Sequence, residues 1–142
     1  MDKRQEIYEK ALELFISNGY DQTPLSLIAK ALNITKAGLY HYFSSKEDLL
    51  FFIHQQNMQR DLIPIIESAE KITDPKERIS FIIKKYTESS MARDPSQKML
   101  INELGNLTPE HRKIIRESWR RFFNIIRDTI SELELSGKSK KI

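Results

Sequence analysis

The chain has 142 residues, 23 Lys plus Arg against 20 Asp plus Glu, a net charge of +3 and no cysteine. That length suits one domain, or two small helical units sharing a core. The absence of cysteine excludes disulfides and thiolate metal sites, and no stretch approaches the roughly 20 apolar residues of a membrane span, so a cytoplasmic protein without a secretion signal is expected.

In chain order, Asp2 to Gly19 reads as a first helix with Ile7, Ala11, Leu12, Leu14 and Phe15 on one face, ended by Gly19. Thr23 is placed to cap a second helix, with Pro24 at its first position and Leu25, Ile28, Ala29 and Leu32 inward. Asn33 tolerates the left-handed backbone that ends a helix without glycine, and Ile34 fills the corner that follows. Thr35 then caps a third, short helix. Its first turn, Lys36, Ala37 and Gly38, is small or basic, which lets a helix end approach a DNA groove closely. Leu39 and Phe43, four apart, anchor it to a core, while Tyr40, His41 and Tyr42 offer polar groups to phosphates or bases. Ordinary half-buried packing is the plainer account of either tyrosine; the surrounding motif favours the DNA reading.

Ser44 and Ser45 precede Lys46-Glu47-Asp48, a capped start with acids where the helix dipole favours them. Lys46 is out of place there as a cation, so it is either a solvated lysine or the partner of a backbone phosphate. No acid occurs between Gln22 and Lys46 while Lys30, Lys36 and Lys46 are basic, which gives a local positive strip. The near balance of total charge is weak evidence by comparison.

This fourth helix is expected from Ser45 to about Ile66, with Leu49, Leu50, Phe52, Ile53, Met58, Leu62, Ile65 and Ile66 in contact and Pro64 as a kink or early stop. Asp74-Pro75 opens a fifth with Ile79, Ile82, Ile83 and Tyr86 on one face. Asp94-Pro95 opens a sixth, with Met99, Leu100 and Leu104 inward and Gly105-Asn106 at its end. Thr108-Pro109-Glu110 opens the last, through Ile114, Ile115, Trp119, Phe122, Phe123, Ile126 and Ile130 to about Leu135, with Gly137 as terminator and a polar tail. Seven helices and no strand pattern result, an all-α fold. Lys113, Arg116, Arg120 and Arg127 share a face of the last helix; a solvated edge is the plain reading and an anion-binding surface the sharper one.

The pattern of Thr23, Ile28-Ala29, Thr35-Lys36, Leu39-Tyr40, Tyr42-Phe43 and Ser45-Lys46-Glu47-Asp48-Leu49 resembles the DNA-binding domain of the TetR family of bacterial transcriptional regulators. The likeness is strong over about the first 50 residues. It implies a helix-turn-helix DNA-binding domain at 1–47, a helical effector-binding domain at 48–135 and a C-terminal tail at 136–142. It implies double-stranded operator DNA as partner, with Thr23, Thr35, Lys36, Ala37, Gly38, Tyr40, His41, Tyr42 and Lys46 at the contact. A small-molecule effector is implied in a cavity for which His54, Met58, Tyr86, Met91, Met99, Glu103, Trp119, Phe122 and Phe123 are the candidate lining, each weighed against plain core packing. The family's usual mode is repression relieved by the ligand, in a homodimer. Family members usually carry two more helices that form the dimer interface, so the second domain is expected to be incomplete, leaving either a monomer that binds DNA weakly or a homodimer through exposed faces of the last two helices. The alternative is a truncated module of the same kind that binds a partner protein or small molecule without productive operator binding.

Enzyme classes find no support. His41, His54 and His111 fall on different predicted helices, without a zinc-protease motif, a glycine-rich phosphate loop or a serine elbow, and neither cofactor nor metal is expected.

Overall fold

The computed structural model describes residues 2–92 and 94–140, with side chains over 2–90 and 95–137. Eight α-helices follow in order: α1 (Lys3–Asn18), α2 (Leu25–Ala31), α3 (Lys36–Tyr42), α4 (Lys46–Asn57), α5 (Ile63–Glu70), α6 (Pro75–Ala92), α7 (Asp94–Asn102) and α8 (Pro109–Lys140). A π-helical segment at Met58–Leu62 joins α4 to α5, and a 3₁₀ turn at Leu104–Asn106 precedes α8. Among the described residues no strand occurs, as the periodicity predicts.

Two compact units emerge, and they cut the chain differently from the expected boundary near residue 47. One comprises Met1–Gln56 with Arg93–Arg112, the other Asn57–Ala92 with Lys113–Ile142. In the first, α1 packs on α2 and α7, and α2 on α3. Ile7, Tyr8, Ala11 and Phe15 of α1 are buried with Leu39, Phe43, Leu49, Leu50 and Ile53. In the second, α5 packs on α6. Arg78 of α6 ties that unit together. It donates to the carbonyls of Ile72 and Thr73 at 2.8 and 3.1 Å and to Thr129 Oγ1 and the Glu132 carboxylate of α8, both at 3.1 Å. Among the described residues no helix is long and apolar enough to cross a membrane.

Three expectations need correction. Thr23 does not cap α2. Its hydroxyl turns back to donate to the Gly19 carbonyl at 2.7 Å, satisfying the end of α1, and Pro24 holds the capping position without a side-chain bond. The helix expected to reach about Ile66, with Pro64 as a kink or early stop, instead passes through the π-helical segment and continues as α5 to Glu70: Ile63 N–H reaches the Met58 carbonyl, a bond one residue longer than in an α-helix. This wider turn accommodates the proline ring where an α-turn would clash with it, so the chain bulges rather than breaks. Gly137 likewise does not end α8, which continues to Lys140. One glycine costs a helix about 1 kcal/mol relative to alanine, too little to break a helix of 32 residues. The rest of the expected tail, residues 141–142, lies outside the described residues.

The short α3 is held from both ends. Thr35 Oγ1 accepts the Gly38 N–H at 2.9 Å, and Leu39 and Phe43 are completely buried. A β-carbon on residue 38 would sit 3.1 Å from that same hydroxyl, so glycine there leaves room for the cap. A seven-residue helix has little stability of its own, so cap and anchors decide whether it exists.

His54 is 2% exposed with its Nε2 lacking a protein partner, and burial lowers its pKa from 6.5 to about 4. The folded chain therefore resists a proton that the unfolded chain takes up freely.

Thr35→Ala should destabilise the chain by about 1 kcal/mol, from the lost cap, and Leu39→Ala by about 2–5 kcal/mol, from the cavity left at a fully buried site, both read from urea unfolding. Equal small effects would mean α3 is not anchored as described. For His54 the unfolded state binds more protons between its two pKa values, so stability should fall as pH drops from about 6.5 towards about 4. The loss is up to about 3 kcal/mol and should be absent in His54→Leu; a native chain whose unfolding midpoint ignores pH over that range would contradict it.

Candidate nucleic-acid interface

Burial sorts the residues of α3. With Leu39 and Phe43 at the core, Lys36, Ala37, Tyr40 and His41 are left exposed, Tyr40 by 43%. Lys36 Nζ lies 5.8 Å from the centre of the Tyr40 ring one turn on, and the His41 and Tyr42 rings meet edge to face at 5.0 Å. Tyr42 and Gly38 are half-buried, and Thr35 is exposed at the helix start. The structure thus gathers Thr35, Lys36, Ala37, Tyr40 and His41 on the outward side of one helix. Asn33 supplies the turn before it, with a φ of 55° in the left-handed region.

Two predicted contacts are placed elsewhere. Thr23 is fully buried, so its hydroxyl serves the α1 end and cannot meet DNA from there. Lys46 is half-buried: its ammonium bonds to the Tyr20 carbonyl and lies 4.1 and 5.7 Å from the Tyr20 and Phe15 ring centres. Burial lowers its pKa, against the pull of Asp21 and Glu103, while burial and the nearby acids Glu103, Glu47 and Asp21 push the Tyr20 phenol up to about 12. The cation that looked misplaced at a helix start ties the start of α4 to the loop after α1, through a carbonyl 26 residues earlier.

Sequence reasoning missed Arg4. Its guanidinium sits 4.7 and 4.8 Å from the Phe43 and Phe52 ring centres and donates to the Tyr42 carbonyl at 3.3 Å. A cation at the carbonyl end of α3 complements the helix dipole and holds that end against α1. Nothing in local sequence pairs residue 4 with residue 42.

Of the candidate effector-binding residues, Tyr86, Trp119, Phe122 and Phe123 come together in the second unit. With Ile82, Ile83, Thr87 and Ile126 they line a cleft of about 250 Å³ between α6 and α8. Ring centres lie 5.4 Å apart for Tyr86 and Phe122 and 5.9 Å for the near-parallel Trp119 and Phe123. Phe123 and Ile83 remain 58% and 60% exposed, so the expectation that Ile83 lies on a buried face does not hold, and plain core packing is not the account of Phe123. Met99 and Glu103 are not in that cleft; they belong to the first unit, where they line a groove of about 310 Å³ with Phe15, Ile16, Tyr20 and Lys98. His54 is in the core of the first unit and Met58 is buried in the π-helical segment. The Met91 side chain lies outside the described residues. On the basic face of α8, Arg127 pairs with Asp128 at 3.2 Å. Beside it Arg121 pairs with Glu70 at 3.1 Å, and Glu117 and Asp128 line a groove with Arg120 and Arg121, so this side of α8 carries both signs, which favours a solvated edge over an anion site.

Comparison with known proteins agrees with this geometry. The description of bacterial regulatory proteins of the tetR family matches residues 7–52, and that of a tetracyclin repressor-like C-terminal domain matches residues 73–142. The chain is 29% identical to the fatty acid metabolism regulator protein of Bacillus subtilis (strain 168) over 140 residues, covering 98% of this chain and 72% of that protein. It superposes on the TetR family transcriptional regulator PfmR from Thermus thermophilus with a TM-score of 0.84 and 28% identity, over 96% of this chain and 72% of that one. AibR, solved in complex with isovaleryl coenzyme A and operator DNA, gives a TM-score of 0.83 and 26% identity over 96% of this chain and 74% of that one. A seven-residue helix with its apolar side locked down and its polar side free, carried on a chain that matches the family over both parts, places this protein: it belongs to the TetR family of bacterial regulatory proteins.

Proposed function

We propose that this chain is a ligand-responsive repressor that reads operator DNA with α3 and releases it when a small molecule occupies the aromatic cleft of the second unit. The observation that carries the DNA half is the sorting of α3 by burial. Lys36 and Tyr40 stand free at its outer side behind a first turn, Ala37 and Gly38, small enough to enter a major groove. Lys36 and Tyr40 act on base edges, Thr35 and Tyr42 on phosphates, and His41 on either. Lys46 contributes by holding the start of α4 to the loop after α1.

For the effector, the lining of the cleft is the guide. Four aromatic and three isoleucine side chains with a single threonine suit an uncharged apolar group and offer nothing to a charged one. Relatives that include a fatty acid metabolism regulator and a protein crystallised with isovaleryl coenzyme A make the acyl part of an acyl thioester the first class to test. Operator reading by a homodimer is part of the proposal, since paired half-sites multiply the contact that one short helix can make.

Fluorescence anisotropy against a duplex from upstream of the protein's own gene, with a scrambled duplex as control, tests the reading. Lys36→Ala and Tyr40→Ala should each lower the preference for the upstream duplex by about 1–3 kcal/mol, the worth of one base-reading contact; equal losses on both duplexes would reduce them to backbone contacts. Isovaleryl- or palmitoyl-coenzyme A should shift Trp119 emission and release the duplex where coenzyme A alone does not. An emission indifferent to every acyl chain would remove acyl thioesters as effectors.

A further inference from the structure

The first turn of α8 starts in an unusual way. Thr108 caps it, accepting the His111 N–H at 3.2 Å on its hydroxyl, and Pro109 follows at the first helical position. In the ordinary capping box the residue three after the cap is an acid that takes the cap's own N–H. Here that position is His111, and the acid comes from another helix. Glu47, in the first turn of α4, accepts the Thr108 N–H at 2.9 Å on Oε2. The same carboxylate lies 2.8 and 3.1 Å from His111 Nδ1, so it also holds the side chain that stands where its counterpart would be. A carboxylate ion only accepts, so Nδ1 carries the hydrogen. One turn along α4, the Phe51 ring lies flat against the His111 ring, centres 3.8 Å apart and planes within 3°. Arg112 completes the fastening, donating to the carbonyls of Leu104, Gly105 and Leu107 at 3.2, 3.1 and 2.9 Å.

We infer that Glu47, with Phe51 and His111, is the joint through which the state of α8 sets the position of the reading helix. Glu47 and Phe51 are positioning residues, and the inference rests on the proposed regulator reading. Two links make the route. Upstream of the joint, three residues separate α3 from α4, and they are fixed: Ser45 Oγ accepts the Asp48 N–H at 3.0 Å, and Asp48 Oδ2 accepts the Ser44 N–H at 3.1 Å. Displacing the start of α4 therefore displaces the end of α3. Downstream, α8 is one uninterrupted α-helix from Pro109 to Lys140, and it carries Trp119, Phe122 and Phe123 to the aromatic cleft. The other helical route, out of α4, passes at once into the π-helical segment rather than running on as one α-helix. A remote cap suits the task. It is polar and directional, and it can be broken without emptying the core.

Coupling is reciprocal, so duplex bound at α3 must be felt at Trp119, the sole tryptophan. The test titrates the upstream duplex into the native chain and into Glu47→Gln and His111→Gln, following duplex anisotropy and Trp119 emission together, with circular dichroism to show that each variant keeps its helices. Native chain should give a Trp119 shift that saturates with duplex binding, and at least one folded variant should bind duplex while losing that shift. Binding with a silent Trp119 in the native chain, or an unchanged shift in both variants, overturns the joint and leaves the regulator reading standing. Absence of any salt-sensitive duplex binding would contradict the regulator reading itself and take the joint with it.

Discussion

Seven residues cannot sustain a helix in water, so α3 depends on the burial of Leu39 and Phe43 for its existence and for its orientation. Both side chains are wholly removed from solvent, and they lie on the same side of the helix, four residues apart. With that side fixed, Lys36, Tyr40 and His41 have nowhere to point but outward. Thr35 contributes the cap that starts the helix at a defined residue, and Asn33, in the left-handed region, supplies the turn that brings α2 to it.

Other ties of the first unit hold the end of α3 and the start of α4. Arg4 grips the carbonyl end of α3 while resting on the two rings that pack behind it, Phe43 and Phe52. Lys46 binds the start of α4 to the loop after α1, and Glu47 binds it to the start of α8. Charged side chains in these places are not a sign of a solvent-facing surface. Arg4 and Glu47 each complement a helix end, and Lys46 adds a second bond to the Tyr20 carbonyl, which also accepts the Thr23 N–H. The cost is that two of the cations near the motif, Arg4 and Lys46, are committed to the protein itself. The exposed cations of the reading surface are Lys30 and Lys36.

Much of this was legible from residue types and spacing. The Thr35 cap, the left-handed Asn33, the Leu39 and Phe43 anchors and the proline-led starts of α6, α7 and α8 follow from local rules, and the structure follows them. What escaped was decided by partners distant in sequence. Thr23 looks like a cap for the helix it precedes, but α2 begins one residue later than that cap would start it, behind Pro24, and the Thr23 hydroxyl is turned to donate to the Gly19 carbonyl. Lys46 looks like a phosphate contact until Tyr20 is brought beside it. Glu47 reads as a dipole-favoured acid in its own helix, and nothing at residues 47 or 108 announces that they meet. Pro64 signals a break that a single wider turn avoids. The cleft was half legible: helical spacing groups Trp119, Phe122 and Phe123 on α8, but only the fold brings Tyr86 of α6 to them, and it assigns Met99 and Glu103, candidates from the family resemblance, to the other unit.

The proposed reading of DNA rests on a single outward side of α3. Amide hydrogen exchange on the chain, with and without the upstream duplex, is the decisive measurement. The duplex should slow exchange at residues 35–42 more than anywhere else in the first unit, and a scrambled duplex should do so less at the same salt. Protection centred on α1, α7 or the α6–α8 cleft, with residues 35–42 unchanged, would contradict it.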